Sequence, residues 1–280
     1  MQTVGQRTLI LAGCLALAVT TAAQQPNVAA TDPAASLTND QIKVFLRTAK
    51  VVNFKESKKG VTHTTRLTLS DGTITHDASF QGIEEHKPML ALQNGRTEVN
   101  FVDSYKYNIA AYELAELIGL QDLLPVYVER KWQGTTGSLS WWLPVKMDEA
   151  ERVANKIPIP PDAMDKWNQQ MYRIRVFDEL VYDNDPNLTN VLIGENWKLW
   201  RIDFTRAFRR FNDLRDAKEL VRCDRQLLAK LKTLDGNELA QKSKPYLTKD
   251  EVKAVMARRD KIVSHFEKLV ADKGETEVLY

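Results

Sequence analysis

The chain has 280 residues, 39 of them basic and 37 acidic, with 43% hydrophobic and 27% charged positions. These proportions exclude a disordered or fibrous chain, and the near-balanced charge gives no electrostatic case for a nucleic-acid binder. Two cysteines, Cys14 and Cys223, exclude a disulfide framework, and four scattered histidines without ligand spacing argue against a zinc hydrolase.

Residues 1–23 carry one positive charge, Arg7, then an apolar run over 9–19, then Thr20, Thr21, Ala22 and Ala23. That is the order of a secretory signal peptide, so export to the periplasm or the outside is expected, with cleavage after Ala23. Leu11-Ala12-Gly13-Cys14 offers a competing reading as a lipobox with a lipid-anchored Cys14. The apolar run continues past it through Leu15, Leu17 and Val19, which favours a plain leader. It is also too short to cross a bilayer as a helix, so no membrane-spanning segment is expected. Residues 24–40, opening with a stretch rich in Ala, Gln, Pro and Thr, read as a flexible tether.

The folded part opens with a helix predicted over 37–52, started by Thr38-Asn39-Asp40-Gln41, with Ile42, Val44, Phe45 and Ala49 on its apolar face. The period then changes to two. Residues 64–69 and 73–80 read as strands around the turn Ser70-Asp71-Gly72. A helix is predicted over 108–120, then strands over 125–129 and 138–143 around a turn at 134–137. Beyond residue 145 the pattern is mostly helical: helices over 165–182, 214–234 and 249–272, with a small hairpin over 191–202. The last helix begins with the capping box Thr248-Lys249-Asp250-Glu251. Cys223 reads as a small buried hydrophobe. The expected architecture is α+β, with a β-rich part over 41–144 and a helical part over 145–280.

The chemistry-bearing segment is 177–208. Asp185 precedes Asn190 by five positions in a turn-rich loop, and Asp203 ends an apolar strand thirteen residues later. One loop and one strand end thus present three oxygen-bearing side chains, a set that can hold a divalent cation and orient a hydroxyl.

Asp-x-x-x-x-Asn followed by Asp-Phe across a short hairpin resembles the catalytic loop and metal-binding Asp of the protein-kinase-like superfamily. The segments Arg175-Val176-Phe177-Asp178-Glu179-Leu180 and Ile202-Asp203-Phe204-Thr205-Arg206-Ala207-Phe208 resemble its atypical branches more closely: HipA-like kinases, phosphatidylinositol 3- and 4-kinases, and secretory-pathway kinases related to four-jointed. The chain looks most like uncharacterised secreted bacterial members of that group. The helix ending Ile118-Gly119-Leu120 and the strand after it fit the same pattern. The resemblance covers roughly 58–234 and implies a two-lobed protein-kinase-like fold, with a β-rich N-lobe, a helical C-lobe, ATP and Mg2+ as cofactors, Asp185 as catalytic base, and Asn190 and Asp203 as metal ligands. Gln81 stands where the family places its phosphate-gripping Lys, and Asn108 where it places the partner Glu. Both halves of an ion pair become amides, which can still hydrogen-bond. Lys87 or Lys106, with Glu113, are the residues nearby that could replace them. Only one glycine, Gly60, lies in the segment Lys58-Lys59-Gly60-Val61-Thr62, with Thr62 adding a hydroxyl toward nucleotide.

Two function classes follow: a secreted phosphotransferase acting on an unknown acceptor, or a catalytically inactive pseudokinase or binding module at the cell envelope. Three side readings compete with parts of this. Asp183, Asp185 and Asn187 match the first positions of an EF-hand loop, but Leu188 stands where Gly is needed, leaving only a looser calcium site open. Adjacent Trp141 and Trp142 must face opposite sides of a strand, which weakens a carbohydrate platform. Arg206, Arg209 and Arg210 read either as surface charge or as contacts to the loop or an acidic substrate.

Overall fold

Thr38 starts the first helix, α1 (Asn39–Thr48), by a reciprocal exchange: its hydroxyl accepts the Gln41 N–H while the Gln41 side chain accepts the Thr38 N–H. The computed structural model describes residues 33–56, 64–91 and 97–280. The expected leader, Cys14, the tether up to residue 32, and Thr62 with its single-glycine loop lie outside the described residues. Residues 33–280 form one compact unit.

The helix predicted over 37–52 stops early. Ala49 turns extended, with ψ at 143°, and the chain enters β1 (Lys50–Glu56). Val51, Val52 and Phe54 favour a pleated strand, and β2 (Thr65–Ser70) supplies its ladder partners. β3 (Thr75–Gln81) follows the expected turn, where Asp71 Oδ1 accepts the N–H groups of Thr73 and Ile74, each at 2.8 Å. β6 (Tyr127–Trp132) and β7 (Thr135–Trp141) complete an antiparallel sheet of order β1-β2-β3-β7-β6. Their turn lies at Gln133-Gly134, both at positive φ, so residues 135–137 belong to the strand and not to the turn. Leu67, Leu69, Ala78, Val128 and Leu139 are fully buried, and Phe45 and Leu46 of α1 lie in the same core. Trp141 and Trp142 diverge as alternation requires: Trp141 stacks on His76, and Trp142 lies under the Arg66 guanidinium.

Between β3 and the next helix the sequence pattern hid a hairpin, β4 (Glu84–Ala91) and β5 (Thr97–Ser104), paired only with each other. β4 is polar or exposed on both faces, so no apolar alternation announces it. β5 runs directly into α2 (Tyr105–Ile118), capped by Ser104 and closed by Gly119 in the left-handed region.

The second half holds β8 (Val145–Asp148), α3 (Glu149–Ala154), α4 (Met164–Val181), β9 (Val191–Gly194) and β10 (Leu199–Arg201), the three strands ordered β10-β9-β8. It ends with α5 (Arg225–Thr233), α6 (Gly236–Lys242), α7 (Lys249–Lys273) and α8 (Glu275–Val278). The helix predicted over 214–234 forms only from Arg225. Upstream, the Glu179 carboxylate accepts the N–H groups of Arg215 and Asp216 at 2.7 and 3.1 Å, so this backbone is bonded to α4 and not to its own turn. Asp224 then caps α5 through the Leu227 N–H. α7 begins with the expected capping box, and its Glu251 also accepts the Tyr107 hydroxyl of α2, tying the two halves together. Cys223 is fully buried, and burial pushes its thiol up to about 12, which makes it inert. Among the described residues no helix is long and apolar enough to cross a membrane.

Candidate functional site

The loop after α4 is organised by one buried arginine. Arg201, 1% exposed at the end of β10, pairs with Asp178 at 3.1 Å and with the buried Asp183. Burial pushes Asp178 up to about 6 and raises Asp183 as well, against the pull of the Arg201 guanidinium they share. Asp183 also accepts the Asp185 N–H at 3.0 Å. Its carboxylate is therefore spent on Arg201 and on the loop backbone, which takes Asp183 out of the looser calcium reading. Asp185 itself stays half exposed, with Arg206 Nη1 at 3.6 Å from its carboxylate. Further on, Asn187 accepts the Thr189 N–H, and the Asn190 carbonyl accepts the Ile202 N–H at 3.0 Å. The loop and the strand end leading to Asp203 are thus bonded directly to each other.

Asp203 has φ of +59°, a left-handed backbone uncommon for a residue with a side chain. Its carboxylate accepts the Thr205 hydroxyl at 3.1 Å. The next N–H, that of Phe204, goes to the Asn108 side-chain oxygen at 2.7 Å, while the Phe204 ring meets Phe177 edge-on. The Thr205 carbonyl accepts the Ser104 N–H at 2.9 Å, and the Phe208 N–H reaches Val181 at 2.6 Å. Residues 203–208 are consequently held at one side by β5 and α2 and at the other by the end of α4.

Gln81 and Asn108 make the bond that two amides permit. Asn108 Nδ2 donates to Gln81 Oε1 at 2.7 Å and lies 3.3 Å from Ser138 Oγ, in a buried setting. Beside the pair, Gly137 lets β7 approach the end of β3: a Cβ there would sit 2.5 Å from the Gln81 backbone carbonyl and 2.8 Å from the Phe80 ring. None of the charged substitutes joins the pair. Lys87 is paired with Glu85 and Lys106 with Glu84, both on the β4–β5 hairpin. Glu113 points to Lys242 of α6. The pair is therefore neutral.

Of the three arginines after Asp203, two are structural contacts. Arg206 bridges Asp185 and Glu98 of β5 and lies over the Phe101 ring, and Arg209, 8% exposed, pairs with Glu98 at 3.0 Å. Arg210 remains exposed, as plain surface charge would. The sequence reading missed both Glu98 and Asp103, because both belong to the unannounced hairpin. Asp103 is buried, and its carboxyl is pushed up by that burial and, after the Thr205 hydroxyl's opposing hydrogen bond, by the Asp203 charge.

The fold therefore gathers Gln81 and Asn108 at the Phe204 backbone, and Asn190 at the Ile202 backbone, so that both meet the Asp203 segment. Asp185 joins them through Arg206. Among the described residues no three His, Cys, Asp or Glu side chains form a metal cluster. The oxygen donors are the Asp203 carboxylate and, in the adjoining loop, Asn190, which the structure ties to this segment through its backbone carbonyl. Such donors suit a hard divalent cation better than a soft one.

The solved structure of the Golgi casein kinase matches with a TM-score of 0.60 at 14% identity, covering 86% of this chain and 78% of that one. The same kinase with Mn/ADP bound matches with the same figures. The fold is kinase-like. A further match, the Helicobacter pylori proinflammatory kinase CtkA, has a TM-score of 0.49 at 9% identity over 82% of this chain and 97% of that one. No family model and no curated protein sequence matches the chain. In this kinase-like fold the antiparallel sheet forms the N-terminal part and the helices the C-terminal part, as the resemblance implied.

Proposed function

We propose that the chain is an exported, kinase-like phosphotransferase that uses ATP with Mg2+ and delivers phosphoryl to a hydroxyl-bearing acceptor. The observation that carries this reading is the bond between the two segments concerned: the Ile202 N–H to the Asn190 carbonyl, one residue before Asp203. Asp185, half exposed in the same loop, takes the acceptor's hydroxyl proton. Asn190 and Asp203 hold the cation, which when bound offsets the negative charge of the phosphates. Gln81 and Thr62 offer uncharged hydrogen bonds to the nucleotide, and Asn108 orients Gln81. The Mn/ADP-bound Golgi casein kinase, which shares the fold, supports the pairing of nucleotide with divalent cation. A leader over residues 1–23 supplies the export.

One observation favours a second reading, a pseudokinase or envelope binding module. The Gln81–Asn108 pair brings no positive charge to the phosphates. Thermal shift with Mg2+ and ATP, run beside a phosphoryl-transfer assay with and without added acceptor proteins, separates the two. The first reading expects a nucleotide-dependent shift that Asp203→Asn abolishes, and turnover that Asp185→Asn abolishes while the shift survives. A shift without turnover selects the second reading, and no shift with any nucleotide removes the first.

A further inference from the structure

The Asp185 side chain is more than half exposed, and one cation stands beside it. Arg206 Nη1 lies 3.6 Å from Asp185 Oδ2, inside ion-pair range but too far for a hydrogen bond. Among the described residues the Asp185 carboxylate is paired with no other cation. What holds the guanidinium at that distance is Glu98 of β5. Glu98 Oε2 accepts the Arg206 Nη2 donor, and the Phe101 ring lies 5.2 Å from the guanidinium carbon. Glu98 also carries Arg209, whose Nη2 is 3.0 Å from its Oε1. The side chains of Glu98 and Arg209 are 9% and 8% exposed, so water does not make up for a charge lost here. These four groups balance: two guanidinium groups face two carboxylates. Arg206 has a donor to spare, because its Nε is buried without a hydrogen-bond partner. With Glu98 neutral, Asp185 would be the one carboxylate of the four left for two arginines. A guanidinium fork closed on Asp185 would occupy the lone pairs that a general base keeps for the acceptor's proton.

We propose that Glu98 is a positioning residue that holds Arg206 off Asp185 and so keeps the base free. The inference rests on the reading of Asp185 as the base and adds to it a control exerted from β5. Glu98 acts through Arg206 and touches no reacting atom.

Two double variants with the same change in charge separate this role from a merely structural one. Glu98→Gln with Arg206→Gln removes the cation that could close on Asp185, and Glu98→Gln with Arg209→Gln leaves it in place. The Arg209 double variant is expected to lose about tenfold or more in kcat at unchanged nucleotide KM, while the Arg206 double variant stays well above it. Glu98→Gln alone, which keeps both arginines, gives the same contrast by a second route, and the melting temperature of each variant checks its folding. A crystal structure of the Arg209 double variant should show the Arg206–Asp185 separation closed from 3.6 Å to about 2.8 Å. Equal kcat for the two double variants refutes the role of Glu98, and so does a separation that stays at 3.6 Å. If the wild type transfers no phosphoryl group, the phosphotransferase reading falls on its own. The crystal structure then still decides about Glu98: a closed pair upholds its hold on Arg206, and an unchanged one refutes it.

Discussion

At the scale of single residues, Asn108 does three things at once. Its amide nitrogen donates to Gln81 and lies near Ser138, and its oxygen accepts the N–H that follows Asp203. An ion pair at this place would carry charge toward phosphate; the amide pair instead serves as a neutral clamp between β3, α2 and the Asp203 segment. Asn108→Ala leaves the Gln81 oxygen and the Phe204 N–H buried without partners. At about 1–3 kcal/mol for each unsatisfied group, the variant should lose about 2–6 kcal/mol of stability in urea unfolding. A loss below about 1 kcal/mol would show that water or a rotated Gln81 replaces the clamp. The exchange of Lys and Glu for Gln and Asn was visible in the sequence, and so was the possibility of a hydrogen bond. That Asn108 also reaches Phe204 was not, because 96 residues separate them.

At the scale of elements, the helix starts were legible because caps act within three or four residues. Thr38 with Gln41 and Thr248 with Glu251 both form the reciprocal boxes that their spacing predicts. Thr248→Ala should cost about 1 kcal/mol in urea unfolding, and Thr248→Ser should restore most of it, because only the hydroxyl matters to the cap. Elements were misjudged where a distant partner decided them. The stretch before α5 stays irregular because Glu179, on another helix, takes its N–H groups. The β4–β5 hairpin escaped notice because β4 buries no residue and β5 buries only its C-terminal end, which leaves no alternation to set a period. That omission concealed Glu98 and Asp103, the two carboxylates that face the Asp203 segment.

For the molecule as a whole, the buried Asp178–Arg201–Asp183 group sets a pH dependence of unusual sign. Burial raises Asp178 from an ordinary value of 3.8 to about 6, so the folded protein keeps a proton there that the unfolded chain has released. Its contribution to stability is complete below the ordinary value and is lost as pH rises from about 4 to about 6. Asp77, Glu84, Glu116 and Asp122, all lowered, pull the opposite way: burial opposes each shift, and hydrogen bonds and nearby cations outweigh it. The signature is therefore sought in a difference. Between pH 4 and pH 6 the stability of Asp178→Asn should rise more steeply, or fall less, than that of the wild type, measured by urea midpoints at several pH values. Parallel curves for the two proteins contradict the assignment.

The amino-acid order by itself determined the α+β make-up, the turn at Asp71, the caps, and the Asp185, Asn190 and Asp203 spacing that resembles the kinase-like superfamily. Each of these is written in neighbours a few positions apart, where backbone propensity and local hydrogen bonds act. Only the tertiary structure decided which charges face one another. Asp183 turned inward to Arg201, Arg206 and Arg209 met Glu98, and Asp103 came to lie beside Asp203. Electrostatic and hydrogen-bond partners depend on distance in space, and in this chain the partners that matter lie on segments up to about a hundred residues apart, closed upon each other by burial of the core that neither segment encodes alone.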